Sequence, residues 1–393
     1  MCLLHHIAGA FTQQPERLKD RLGRKAGDLI KRAFDDIDPA RLVDYHTHVA
    51  GVGPDSGAFV NPKMRAWRHP LHHLKFKVYM SAVMVSDVRD ADAQIVKRLV
   101  RLVTNIKGHG KHHLLAFDKN YRRDGTANLE KTEFHVPNDY VLKLAGQHPD
   151  CFAPVISVNP YRSDAIAELE RGAKQGARMV KWLPNAMGID PADELCDPFY
   201  QKMKALDLVL LSHGGEEKAV EAEEDQRLGN PLLLRRALDH GVRVIVAHCA
   251  GLGDNEDIDD RERKRVPNFE LFLRLMDERR YEGLLFADIS AMTQYNRSGK
   301  PLTTILQRED LHERLVNGSD YPLPAINVLI RTGSLRKQGY ITSDERVWLN
   351  EIYDYNPLLF DFTLKRTIRL PGTERRLRAS IFMAHAGLAN RLA

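Results

Sequence analysis

Between residues 41 and 320, short apolar runs alternate with helix-like stretches, and no other feature constrains the fold as tightly. The strand-like runs cover residues 41–45, 78–85, 152–158, 177–182, 208–213, 242–248, 284–289 and 314–320. Continuous apolar runs such as 78–85 mark strands buried on both faces. Residues 91–106 carry Ile95, Leu99, Leu102 and Val103 at the spacing of one helix face. Further helices are predicted over 138–145, 163–175, 198–206, 231–240, 268–280 and 301–308, with Ser163 placed as an N-cap. Eight strand–helix steps over roughly 300 residues predict a parallel (β/α)8 barrel. A doubly wound open sheet is the alternative, but no glycine-rich phosphate fingerprint follows the first strand.

Around this core the sequence divides into three parts: a helical extension over 1–40, the barrel over 41–365 and a helical tail over 366–393. Leu18, Leu22, Leu29, Ile30, Ala33 and Phe34 give the extension an apolar face to pack on the barrel. The segment beyond about 321 reads as helical and basic, closing the barrel or forming a homodimer surface. Residues 50–62 form a loop rich in glycine and proline. Residues 112–121 form an extra strand or part of a lid.

Of the 393 residues 43% are hydrophobic, which permits a large core and excludes wholesale disorder. A net charge of +5, from 58 basic and 53 acidic residues, argues against a nucleic-acid partner, which calls for a concentrated basic face. Cys2, Cys151, Cys196 and Cys249 are scattered, which fits a reducing compartment and no disulfide framework. No apolar run reaches the roughly 18 residues of a membrane span. The first residues are mildly apolar but lack a basic leader. The expectation is a cytoplasmic protein with no membrane partner.

Chemistry enters at Asp44-Tyr45-His46-Thr47-His48. In extended chain, residues i and i+2 point to one side, so His46 and His48 can face one point, as half of a divalent-metal site. With 17 histidines in the chain, such a pair could equally be two solvent-facing loop residues. Four later strand ends strengthen the metal reading: Lys181, His213, His248 and Asp320 each close an apolar run or stand one residue before its end. In a barrel those ends converge on one face.

These motifs, with Ser212-His213-Gly214-Gly215, Ala247-His248 and Gly318-Ser319-Asp320-Tyr321-Pro322, resemble the amidohydrolase superfamily. The likeness is to its amidohydrolase-related branch of metal-dependent barrel hydrolases, and residues 356–361 resemble the last helix of that branch. It spans about residues 41–365. The resemblance implies that His46, His48 and Asp320 bind a buried divalent ion, zinc above all. His213 and His248 bind a second ion, or one completes the first site while the other steers substrate. In two-metal members a lysine at the position of Lys181 is carboxylated and bridges the ions; the alternative is a plain ammonium that pairs with Asp320 or a substrate carboxylate. The implied activity is hydrolysis of a small ester, lactone, amide or similar bond, with Asp320 and His248 catalytic and Asp320 shuttling the proton. Two alternatives accompany it: a one-metal, non-oxidative decarboxylase, and a non-catalytic binding barrel, which would lack ligands.

Substrate contacts are open. Trp182 walls the pocket or lies in the core. Lys119 and Tyr121 meet an anionic group or belong to a surface loop. Glu216 and Glu217 touch the site or favour the start of the next helix. The adjacent pairs His72-His73 and His112-His113 diverge in regular structure and are expected to be non-ligands.

Overall fold

The computed structural model describes residues 7–9, 13–220 and 222–389. Eight parallel strands follow one another around a barrel: β1 Val43–His48, β2 Lys111–Leu115, β3 Phe152–Ile156, β4 Met179–Trp182, β5 Val209–His213, β6 Arg243–Ala247, β7 Leu285–Asp288 and β8 Leu315–Val316. β8 returns to β1 through backbone bonds beyond its short ladder. Tyr45 N donates to Asn317 O at 2.9 Å, Asp320 N to His46 O at 2.7 Å and His48 N to Tyr321 O at 2.9 Å.

Strand alternation sorts the side chains. Val43, Tyr45, Leu115, Val155, Met179, Val209, Leu211, Ile245, Ala247, Phe286 and Val316 fill the interior as one apolar stack. Two residues further along, on the same side, stand Lys181 after Met179, His213 after Leu211 and Asp288 after Phe286. The stack therefore ends in a polar layer at the carboxyl-terminal mouth. On β1 the pairing with β2 slips between Asp44 and Thr47, and His46 and His48 turn to the mouth.

The second strand differs from expectation. Residues 78–85 are not a strand; they end a helix, Pro70–Ala82, which Pro70 opens in its first turn. Their unbroken apolarity arises because one face of that helix, with Phe76, Met80 and then Val83, lines a cavity. The true second strand is the segment around His112 and His113, disguised by polar side chains. His113 stacks on Tyr45 with ring centroids 4.8 Å apart, and His112 Nδ1 stands 3.4 Å from Asp44 Oδ2. Ser163 caps nothing: its helix runs Ala165–Lys174 behind Asp164, with no side-chain cap.

The helix Arg24–Ala33 of the N-terminal extension packs on the helices Ser343–Tyr355 and Pro357–Thr367 rather than on strands. Those two helices have strong starts. Thr342 and Glu345 form a reciprocal capping box, and Asn356 Oδ1 accepts from Leu358 N and Leu359 N. The tail after 366 is mostly irregular, with a short 3-10 turn Ala379–Phe382 and a helical turn Ala386–Ala389. It closes the amino-terminal end of the barrel. Ala384 N donates to Arg41 O at 2.6 Å, His385 N to Tyr45 Oη at 3.1 Å, and Leu388, 1% exposed, joins the interior stack. Among the described residues no helix is long and apolar enough to cross a membrane.

The seam between β1 and β8 carries the mouth and is held from behind. Asp44 Oδ1 accepts from His46 N at 2.9 Å and Ser319 N at 3.0 Å. Lys365 Nζ donates to Gly318 O at 2.6 Å and to Asp361 Oδ2 at 2.5 Å. Gly318 is required by contact: a Cβ there would stand 2.6 Å from His46 Cβ.

Two expectations follow. Leu388→Ala should lower unfolding free energy in urea by about 2–3 kcal/mol, the cost of emptying a core leucine site. Asp44 is buried, which raises its pKa, but His112 and the backbone donors outweigh burial and hold it at about 2. A carboxyl lowered on folding adds stability above its unfolded pKa of about 3.9 and loses it as pH falls towards 2. Asp44→Asn should therefore remove on the order of 2 kcal/mol of the stability lost between about pH 4 and pH 2, read by urea unfolding at stepped pH.

Candidate metal centre

At the mouth, ring nitrogens and one carboxylate meet. His46 Nε2 stands 3.2 Å from His48 Nε2 and 3.4 Å from Asp320 Oδ1, and His48 Nε2 is 3.3 Å from the same oxygen. Atoms bound about 2.1 Å from one cation at tetrahedral or octahedral angles stand about 3.0–3.4 Å apart, so this triangle fits a divalent ion. Lys181 Nζ lies 3.2 Å from His46 Nε2 and His248 Nε2 lies 3.8 Å from Asp320 Oδ2. The rings of His213 and His248 have centroids 5.3 Å apart, and His213 Nε2 is buried with no hydrogen-bond partner. An unpaired buried nitrogen is costly, and a cation would satisfy it.

The backs of the rings are held. Asp288 Oδ2 stands 2.9 Å from His46 Nδ1, which turns Nε2 forward. Its Oδ1 accepts from His248 N at 3.0 Å and Ser290 N at 2.9 Å. Ser290 Oγ in turn stands 2.7 Å from His248 Nδ1. Although Asp288, His46 and His248 lie close enough to group as ligands, Asp288 faces the rear nitrogen of His46 and acts by orienting it. Glu217 does the same for His213, with Oε2 3.5 Å from His213 Nδ1. Glu217 Oε1 is fixed by the amides of Ala219 and Val220, and Gln226 holds its backbone at both ends. His248 and Asp320 both take left-handed backbone, at φ 55° and 57°. Non-glycine residues pay for that conformation, and such strain gathers at functional sites.

Burial governs the electrostatics. It drives the imidazoles of His213 and His248 well below their ordinary pKa and lowers His48, so all three are neutral and able to bind a cation at neutral pH. Burial also lowers Lys181 and raises Glu217. Asp320 is raised by burial but lowered more by His46 and His48, to about 2, and is charged throughout the neutral range.

Above these groups opens a cavity of about 140 Å³. All six residues expected at the site, His46, His48, Lys181, His213, His248 and Asp320, line it. Its walls are otherwise largely apolar, among them Val52, Met64, Phe76, Met80, Phe117 and Phe134. Three expected substrate contacts are not in the lining. Trp182 is fully buried in the other direction, against Phe199 and Tyr200, and its Nε1 donates to Val158 O at 2.8 Å. Lys119 and Tyr121 lie beyond the lining residue Phe117, and Tyr121 N donates to Met187 O at 3.2 Å. Neither histidine of the pairs 72–73 and 112–113 lines the cavity. Glu217 does line it and Glu216 does not; no α-helix begins at either.

Asp288 and Ser290 were missed in the sequence. The signal for Asp288 was present: it closes an apolar strand two residues after an interior phenylalanine, the same register as Lys181 and His213. Ser290 leaves no such trace.

A family profile for amidohydrolases matches residues 111–326, more than half of the chain. No curated protein matches. Several solved structures are similar at low identity. An uncharacterised TIM-barrel protein from Bordetella bronchiseptica shares 16% identity, over 73% of this chain and 88% of its own, with a TM-score of 0.47. A 4-oxalomesaconate hydratase from Rhodopseudomonas palustris shares 14%, over 79% and 93%, at 0.43. A 5-carboxyvanillate decarboxylase from Novosphingobium aromaticivorans with bound manganese shares 12%, over 80% and 94%, at 0.45. Profile and strand order agree with the motifs at the mouth, and the chain belongs to the amidohydrolase family.

Proposed function

We propose that this protein is a metal-dependent hydrolase of small substrates with a largely apolar body and an ester, lactone, amide or similar bond. The observation that carries the reading is the triangle of His46 Nε2, His48 Nε2 and Asp320 Oδ1, with its sides of 3.2–3.4 Å. These three atoms would hold one divalent ion of the zinc type, and His213 and His248 a second. A bound ion of this kind polarises a carbonyl and brings the pKa of water to about 7.

The chain's own residues do the rest. Asp320, ionised and at the centre of the cluster, accepts the proton of the attacking water and returns it to the leaving group. His248, with Nδ1 held by Ser290, turns Nε2 to the cluster, where it would join His213 at the second ion or, with that ion absent, steer the substrate. Four imidazoles and one carboxylate supply too little negative charge for two dications. Lys181 is the residue proposed to make up the difference, as a carbamate formed with CO₂. The apolar walls bind the body of the substrate and exclude water from the reacting bond.

Decarboxylation is the less favoured reading. It calls for a cation to anchor the substrate carboxylate, and among the described residues lining the cavity Lys181 is the sole cation apart from the histidines.

Three measurements check this. Asp320→Asn should abolish turnover on a panel of uncharged esters and lactones while some metal stays bound; near-wild-type turnover would refute its role. Asp288→Asn should weaken metal affinity about 10–100-fold through the loss of the His46 orientation, measured by competition with a chelating dye. Elemental analysis should give two ions per chain, with intact mass under native conditions raised by one CO₂; one ion and an unmodified lysine would favour the decarboxylase.

A further inference from the structure

The helix Pro70–Ala82 covers the cavity and is apolar on two opposite sides. Phe76, Met80 and Val83 face the cavity. Leu71 and Leu74, one turn apart on the other side, are 79% and 47% exposed, and Trp67 in the turn leading into the helix is 79% exposed. Single exposed leucines are ordinary; a tryptophan and two leucines together on the rim of a site are not.

Within the segment itself the charge has one sign. Lys63, Arg65, Arg68, Lys75 and Lys77 fall in this segment, and no acidic residue occurs between Asp55 and Asp87. Lys75 is paired with Glu133 at 2.8 Å; Arg65, Arg68 and Lys77 are exposed. Exposed tryptophan and leucine flanked by lysine and arginine are the composition of a surface that lies in a lipid interface. A second copy of the chain fits poorly. A two-fold contact sets each patch against itself, and here that would press like charges together as the leucines met. An anionic bilayer complements both the charge and the apolar side chains.

We infer that the segment around Trp67, Leu71 and Leu74 docks the protein on an anionic phospholipid surface, with the mouth of the cavity turned towards the bilayer. The expectation from sequence was no membrane partner. That expectation rested on the lack of an apolar run long enough to span a bilayer, which does not bear on docking at its surface. The inference does not depend on the hydrolase reading, because the binding it describes needs no turnover.

The test is sedimentation of the full-length protein with vesicles of phosphatidylcholine alone and of phosphatidylcholine with phosphatidylglycerol in equal parts. Binding is expected to the mixed vesicles, to fall steeply as salt is raised, and to be weak on phosphatidylcholine alone. The paired change Arg68→Glu with Lys77→Glu should weaken it about 25-fold or more, at roughly fivefold per basic residue. Trp67→Ala with Leu71→Ala should weaken it by a similar factor, with circular dichroism unchanged because both side chains are exposed. In the wild type, vesicles should shift tryptophan emission to the blue, and Trp67→Ala should abolish the shift. Absence of binding at low salt, or equal binding to both vesicle types, overturns the inference. So does a dimer in solution that Leu71→Glu converts to a monomer while vesicles fail to bind the wild type.

Discussion

Asp288 makes one contact on which the mouth of this barrel depends. Its Oδ2 meets His46 Nδ1 at 2.9 Å, and its other oxygen fixes the amides of His248 and Ser290. Without that carboxylate, either nitrogen of His46 could turn forward, and the triangle with His48 and Asp320 would lose its defined geometry. Asp288 is fully buried, and it stays charged because His46, His248 and Ser290 offset the cost of burial. The barrel provides the place. An apolar stack beneath excludes water, and strand alternation sets Asp288, Lys181 and His213 on the layer above it.

The polar layer shows a division of labour between strand ends and loops. Strand ends deliver the inward groups in rigid register. Loops and an outer helix then contribute what register cannot. Glu217 curls back under His213, and Lys365 reaches from a distant helix to hold Gly318. The left-handed backbone at His248 and Asp320 redirects both side chains just where the ladder stops. His213 Nε2, which has no partner inside the protein, belongs to a residue that lines the cavity.

Much of this was legible in the sequence. Seven of eight strands were readable because each is a short apolar run, and six of those runs end in or lead into a mouth residue. The second strand was read only as an extra strand or part of a lid, because His112 and His113 break the apolar signal with side chains that find partners only in the fold: Asp44, Thr47 and Tyr45. The helix Pro70–Ala82 took its place in the reading, since apolar residues on two sides of a helix imitate a buried strand. Trp182 illustrates the other limit. Its neighbour Lys181 faces the mouth, so alternation alone turns Trp182 outward to Phe199 and Tyr200. The contacts of Glu217 and Ser290 depend on loop paths that no periodicity encodes.

The tail across the floor of the barrel bears on the chemistry at the opposite end. Leu388 and the backbone around Ala384 stop the interior stack from below, more than 300 residues along the chain from the β1 strand they touch. Were that floor open, water could climb the inside of the barrel. It would hydrate Met179, Leu211 and Phe286 and raise the local dielectric beneath Lys181, His213 and Asp288. Depressed ring basicity and well-aimed nitrogens at the top thus presuppose a dry base. A residue at the foot of the barrel helps to set the acidity of those at its mouth.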